Sequence, residues 1–281
     1  MDSKTRNTFS EANPPRLQRS SLMLIILLTV TIMMACCYYI FFLNPLIFQN
    51  KSDTYVFLLA GQSNMAGRGY ISEQQQNEFQ GVFSLDQNLK IVPARHPLHF
   101  DRRTAGYSLG IDFAEQIYKW CGSCKVLLVP AAVGGTSLDD WQPGQPIYNR
   151  AIQMTNYAMN YGVLKGIIWH QGETEAQTIN QEKLSTYAAK LAILISSLRQ
   201  DLGSPNLPFV AGTLASFLKD HVGYDNYDQV SAIISQVLHN TAHASLVDAS
   251  DLDDMGDRIH FSSSALKILG QRYAQSIISL L

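Results

Sequence analysis

Charge is what this sequence has least of. Only 16% of its 281 residues are Asp, Glu, Lys or Arg, and the formal net charge is −2. Lys and Arg do not cluster in the region after the N-terminus, which leaves no electrostatic footprint for a nucleic-acid partner. Cysteine is scarce as well, with four residues in two pairs. Cys36-Cys37 lies in an apolar run and reads as two small hydrophobes, with palmitoylation as the alternative. Cys121-Gly-Ser-Cys124 has no second ligand pair at a spacing that would build a zinc site. It follows a predicted helix and precedes a predicted strand, the reverse of the thioredoxin order, so it reads as a local disulfide or two idle thiols. Internal repeats and low-complexity tracts are also missing, which excludes solenoids and long disordered segments.

What is present begins with a block that has no charge at all. Leu22 to Phe42 is almost purely apolar, and as a helix its 21 residues reach about 30 Å, the thickness of a bilayer core. Lys4, Arg6, Arg16 and Arg19 precede it and only Lys51 follows closely. The expectation is therefore a signal anchor over residues 22–43, a cytosolic tail over 1–21, a linker over 44–54 and a domain over 55–281. By the positive-inside rule this is a single-pass type II membrane protein with its domain luminal or extracellular, in the secretory pathway or at the plasma membrane. Oligomeric state leaves no signature.

The remainder alternates short apolar runs with amphipathic ones. Strands are expected at Tyr55–Ala60, Lys125–Val133, Val163–Trp169, Pro208–Leu214 and Ala244–Asp248. Helices are expected at Tyr107–Trp120, Ile147–Tyr161, Gln181–Leu202, Tyr227–Asn240 and Ser263–Leu280. Ser72–Asn88 has no clean period. That rhythm predicts an α/β three-layer sandwich around a parallel five-stranded sheet, with ligands bound outside the carboxyl ends of the strands.

Three of those ends carry polar or glycine-rich segments: Gly61-Gln-Ser63, Gly134-Gly-Thr136 and His170-Gln-Gly-Glu173. Ser63 reads as a nucleophile, which needs a base, a group to orient the base and donors for an oxyanion. Asp257-Arg-Ile-His260 offers base and orienter three residues apart in one turn. His170 with Glu173 is the competing base, and otherwise a wall or substrate contact. The donors are the Ser63 N–H, a glycine N–H at Gly134-Gly135 and the side-chain amide of Gln171. Each residue also has an ordinary structural job: Ser63 and Asp257 as helix caps, Gly134-Gly135 as a turn, Gln171 as an interior amide. The Asp248, Asp251, Asp253 and Asp254 cluster reads as a solvated loop or a loose calcium site. The Gly-x-Ser-x-Gly elbow of α/β-hydrolases is absent, because Met65 stands where its second glycine would be.

Taken in order, Gly61-Gln-Ser-Asn64, Gly134-Gly-Thr136 with Trp141, Trp169-His-Gln-Gly-Glu173 and Asp257-Arg-Ile-His-Phe261 resemble the blocks of the SGNH hydrolase superfamily. Within it they are similar to carbohydrate esterase family six, with its sialate O-acetylesterase-like domains and plant probable carbohydrate esterases. The resemblance implies a flavodoxin-like SGNH fold from about Tyr55 to Ile278. It also implies Ser63 as nucleophile, His260 as base, Asp257 as orienter, and Ser63 N–H, Gly134 and Gln171 as oxyanion hole. Asn64, Gly135, Trp141, His170 and Glu173 are the expected substrate contacts, and no metal or organic cofactor is expected. Two features depart from the pattern: Gln-Gly-Glu-Thr-Glu175 replaces the frequent Gln-Gly-Glu-Ser-Asp, and a membrane anchor is not general in the family.

The expected function is a membrane-anchored serine esterase that removes O-acetyl groups from a carbohydrate through an acyl-enzyme. A lipid or thioester hydrolase and a non-catalytic luminal module that binds polysaccharide are the alternatives.

Overall fold

The computed structural model describes residues 19–38, 48, 50–72 and 78–281. Helix α1 is Arg19–Tyr38. Among the described residues no helix is long and apolar enough to cross a membrane. This overturns the expected signal anchor at 22–43, and with it membrane attachment and the single-pass topology. The apolar block was measured as a run of sequence, whereas the described helix opens on Arg19 and two serines and stops at Tyr38. Its apolar part therefore covers about 25 Å at 1.5 Å per residue, less than a bilayer core of about 30 Å. The tail before Arg19 and residues 39–47 lie outside the described residues.

The region from Phe48 onward is built on a seven-stranded sheet. Its strands are β1 Thr54–Gly61, β2 Val82–Leu85, β3 Ile91–Pro93, β4 Lys125–Pro130, β5 Val163–His170, β6 Phe209–Gly212 and β7 Ala244–Val247. They lie in the order β3-β2-β4-β1-β5-β6-β7. All neighbours are parallel except β2 and β3, so the sheet is mixed and larger than the five parallel strands expected. The extra pair is a short hairpin in which Asp86 Oδ1 accepts the N–H groups of Asn88 and Lys90, both at 2.8 Å, to close the turn. In sequence β2 lies in the Ser72–Asn88 stretch without a clean period, and β3 has only three residues.

Central β1 is buried on both faces from Val56 onward, which explains its unbroken apolar sequence. Phe57 and Leu59 face one layer, together with Leu128, Ile168 and Val210. Against them pack α3 Gly110–Cys121 and α7 Ser263–Ile278, through Phe113, Ile117, Leu269, Tyr273 and Ile277. These two helices approach closely because Gly270 carries no side chain: a Cβ there would lie 2.4 Å from the Leu109 carbonyl oxygen. Helix α4, Pro146–Ala158, packs on β1 and β4, while α5 Gln181–Asp201 packs on α6 Tyr227–His239. The short helix α2, Ser63–Ala66, follows β1 directly.

Strand order reverses around β1, with β4 on one side and β5 on the other. The crevice outside the carboxyl ends of these three strands is where an open α/β sheet binds ligands. The ends are drawn together at Gly61, whose φ is +132° and whose absent Cβ would lie 2.1 Å from the His170 carbonyl oxygen.

Candidate active site

Leaving β1, the chain turns at Gln62 and enters one turn of helix at Ser63. Met65 and Ala66 donate their N–H groups to the Gln62 carbonyl, and Gly67 donates to that of Ser63. The Ser63 N–H has no acceptor among the described residues. Ser63 Oγ lies 3.0 Å from His260 Nε2, and His260 Nδ1 lies 2.6 Å from Asp257 Oδ2.

The three-residue spacing between Asp257 and His260 works because the aspartate closes its own turn. Its Oδ1 accepts the N–H groups of Ile259 at 2.9 Å and His260 at 2.8 Å, while Arg258 takes a left-handed φ of 61°. Burial works to raise the Asp257 pKa, but the hydrogen bonds from the His260 N–H, its ring and the Ile259 N–H outweigh it and hold the carboxyl below its ordinary range. A carboxylate there accepts from Nδ1–H and leaves the Nε2 lone pair toward Ser63. The loop is anchored on both sides, by Met255 N–H on the His260 carbonyl and by Ser262, which caps α7 through the Ala265 N–H.

Asn64 fastens this loop to the serine turn. Its carboxamide nitrogen donates to Ile259 O at 3.0 Å and to Glu173 Oε1 at 2.5 Å, and its oxygen accepts the Phe261 N–H at 3.1 Å. Only 2% of Asn64 is exposed, so it is tied to the protein interior rather than presented to a ligand.

Gly134 and Gly135 follow β4 at the same rim. The Gly134 N–H donates to Asp101 Oδ2 at 2.8 Å, and its carbonyl accepts from Arg102 Nη2 at 3.0 Å. Asp101 also pairs with Arg68 Nη2 at 2.6 Å. Burial raises the pKa of that carboxyl, yet the Arg68 guanidinium and the Gly134 N–H bring it below its usual value. The next amide, that of Gly135, has no acceptor among the described residues.

Other expected contacts lie elsewhere. Gln171 is wholly buried, with its amide nitrogen 2.5 Å from Glu175 Oε2 and its amide oxygen accepting from the Tyr187 hydroxyl at 3.0 Å. Trp141 is also fully buried, edge-on to Trp169 with 5.1 Å between ring centroids, and its indole N–H donates to Thr136 Oγ1. The His170 ring is buried under Phe261, and burial lowers its pKa to about 4, so it stays neutral. The Tyr273 hydroxyl donates to the Trp169 carbonyl at 2.6 Å and so accepts from His170 Nδ1 at 3.0 Å, which leaves His170 Nε2 bare. That nitrogen lies 3.9 Å from Glu173 Oε1 and has no hydrogen-bond partner among the described residues. Glu173 is itself buried; loss of hydration raises its pKa to about 7, against the pull of the Asn64 amide.

Ser63, His260 and Asp257 open onto a cleft of about 670 Å³, which Gly134, Gly135 and Glu173 also line. The rest of its wall includes Arg68, Arg102, Thr104, Gln177, Tyr224 and Met255, none of which sequence reasoning singled out. They come from loops without periodic pattern, and only the doubled Arg102-Arg103 stands out in the sequence. Among the described residues there is no group of three or more His, Cys, Asp or Glu side chains arranged to hold a metal ion.

The chain is 30% identical over 244 residues to a probable carbohydrate esterase of Arabidopsis thaliana, covering 80% of this chain and 90% of that protein. An X-ray structure of an Arabidopsis thaliana protein superimposes with a TM-score of 0.72 at 29% identity, over 80% of this chain and 98% of that one. NanS superimposes with a TM-score of 0.67 at 18% identity, over 82% of this chain and 98% of that one. A carbohydrate acetylesterase from Xanthomonas citri gives 0.60 at 20% identity, over 80% of this chain and 55% of that one. The last two likenesses speak for the fold alone. Residues 53–279 match the family described as carbohydrate esterase, sialic acid-specific acetylesterase, and the chain belongs to that family.

Proposed function

We propose that this carbohydrate O-acetylesterase works through Ser63, His260 and Asp257, in a domain spanning residues 55–281. One observation carries the reading: His260 bridges Ser63 Oγ at 3.0 Å and Asp257 Oδ2 at 2.6 Å through its two ring nitrogens. Ser63 Oγ attacks the acetyl carbonyl carbon while its proton passes to His260 Nε2. The resulting imidazolium is stabilised by Asp257 and then gives that proton to the departing sugar oxygen. Acetyl stays on Ser63 until a water, deprotonated by the same nitrogen, releases acetate and restores the serine.

The oxyanion that forms in each half needs donors that are not already used. The N–H groups of Ser63 and Gly135 are unpaired at the cleft and meet that need; the Gly134 N–H is held by Asp101 and the Gln171 amide by Glu175. The substrate class, an acetylated carbohydrate, follows from the family, and Arg102, Thr104, Gln177 and Tyr224 in the cleft wall offer hydrogen-bonding groups for a sugar.

The test is release of acetate from an aryl acetate and from acetylated glycans by the full chain, compared with Ser63→Ala and His260→Ala. Both substitutions are expected to lower kcat by at least about a thousandfold. If wild type and variants are equally inactive on every ester, the protein is a carbohydrate-binding module that kept the fold.

A further inference from the structure

Two residues first expected at the substrate, Asn64 and Glu173, are hydrogen-bonded to each other, and Asn64 also to the backbone beside His260. We propose that Glu173 is a positioning residue: its carboxylate fixes the Asn64 carboxamide, and Asn64 holds the backbone on both sides of His260 so that Nε2 stays on Ser63. The inference rests on the reading of Ser63 and His260 as nucleophile and base.

A primary carboxamide has two N–H donors and one acceptor oxygen, and Asn64 uses all of them inside the protein. The contacts at Ile259 O and Phe261 N–H flank His260 directly. These two contacts favour one orientation of the amide, but by themselves they would leave its second N–H buried without a partner, at a cost in stability. Glu173 Oε1 supplies that partner at 2.5 Å. In the flipped amide the oxygen would face two acceptors and the NH₂ would face a donor. A carboxylate accepts and does not donate, so it fixes one orientation. The buried, bare Nε2 of His170 lies 3.9 Å from the same oxygen, Oε1. A Gln at 173 keeps an oxygen for Asn64 and puts its NH₂ where Glu173 Oε2 now lies buried without a hydrogen-bond partner among the described residues. An Asp at 173 keeps the charge but falls short of Asn64 by one methylene.

This arrangement separates two roles that both predict loss of activity. A substrate contact at the cleft wall would change KM; a residue that places the base would change kcat, since a displacement of about 1 Å at a reacting group costs about a hundredfold. The experiment measures kcat and KM for an aryl acetate with Asn64→Ala, Glu173→Asp, Glu173→Gln and the double variant Asn64→Ala/Glu173→Asp, each checked for folding by circular dichroism. Expected are losses in kcat of about 10- to 100-fold for Asn64→Ala and Glu173→Asp with KM within about threefold, and recovery to within about fivefold of wild type in Glu173→Gln. The double variant should be no worse than Asn64→Ala, because Glu173 acts through Asn64.

A raised KM with kcat intact, an unchanged Glu173→Asp or multiplying losses in the double variant would overturn the positioning role while leaving the enzyme reading in place. Wild type no more active than Ser63→Ala overturns both. Should Asn64→Ala fail to fold, Glu173→Asp and Glu173→Gln decide by the same criteria.

Discussion

The Asp101 carboxylate accepts the Gly134 N–H at 2.8 Å, and Gly134 lines the cleft that Ser63 and His260 share. Asp101 is at the same time the partner of Arg68, and both side chains are almost fully buried, 1% and 8% exposed. The glycine turn after β4 is thus fastened by an ion pair rather than by apolar packing. Removing one partner strands the other charge, which typically costs about 3 kcal/mol or more. Asp101→Ala and Arg68→Ala should each lower the urea midpoint accordingly, and the double variant should cost less than the two effects added. Additive losses would mean that the pair does not hold the turn.

Acid should destabilise the fold earlier than its carboxylates alone would require. His96, His99 and His170 are buried, and loss of hydration lowers each pKa from 6.5 to about 4. The unfolded chain takes up these protons near 6.5 while the folded chain does not. The stability they contribute is full above that pH and is lost as pH falls toward 4, on the order of 3 kcal/mol for each. Glu173 has the opposite sign. Burial raises its pKa from 4.5 to about 7, so its contribution is full below 4.5 and is lost as pH rises to 7. Between 4.5 and 6.5 it offsets one of the three histidines. Urea unfolding should show lower stability at pH 5 than at pH 7.5, with a steeper fall in Glu173→Gln. A flat profile for wild type would contradict the assignment of buried neutral histidines.

Trp141 and Tyr224 exchange the roles that residue type suggests. Trp141 is fully buried against Trp169, whereas Tyr224 lines the cleft with its hydroxyl accepting from Gln177 Nε2 at 3.0 Å. Trp141→Ala should cost about 3–5 kcal/mol of stability and leave KM unchanged in the protein that folds. Tyr224→Ala should raise KM for an acetylated oligosaccharide more than for a small aryl acetate, with little change in the unfolding midpoint. Kinetics on the two substrates, beside thermal unfolding, separate these outcomes.

Cys121 and Cys124 form a disulfide with Cα atoms 5.7 Å apart, at the end of α3 and far along the strands from the cleft. A loop this short removes little chain entropy, about 2 kcal/mol on a loop-closure estimate. Cys121→Ser/Cys124→Ser should lower the melting temperature modestly and leave kcat and KM within about twofold. A larger loss of activity would connect this turn to the site in a way that its position does not suggest.

The sequence carried some of this more clearly than the rest, for physical reasons. Five of the seven strands were legible because each lies in an apolar run ended by glycine or polar residues. The hairpin β2–β3 was not, because β2 lies in the Ser72–Asn88 stretch without a clean period and β3 has only three residues. Ser63, Asp257 and His260 could be proposed together, since strand ends and a turn of fixed spacing determine where their backbones go; the fold brings their side chains within hydrogen-bonding distance. Side-chain direction was another matter. Gln171 follows a strand end just as Gln62 does, yet its amide turns inward to Glu175. Trp141 has the composition of a sugar platform but fills the core. Arg68, Arg102 and Tyr224 reach the cleft from loops whose course depends on tertiary contacts that no periodicity records. The apolar N-terminal block misled because its length in sequence exceeded the length of its described helix.

The serine and histidine that meet at the cleft are 197 residues apart in the chain. During synthesis Ser63, the proposed nucleophile, emerges early with β1, and His260 arrives only just before α7. A nascent chain lacking that final portion would hold Ser63 without its proposed base. On the proposed mechanism, esterase activity would then be a readout of completed folding, because it needs the loop before α7 in place. In a refolding experiment its return should follow the slowest long-range step and lag behind the recovery of helical signal.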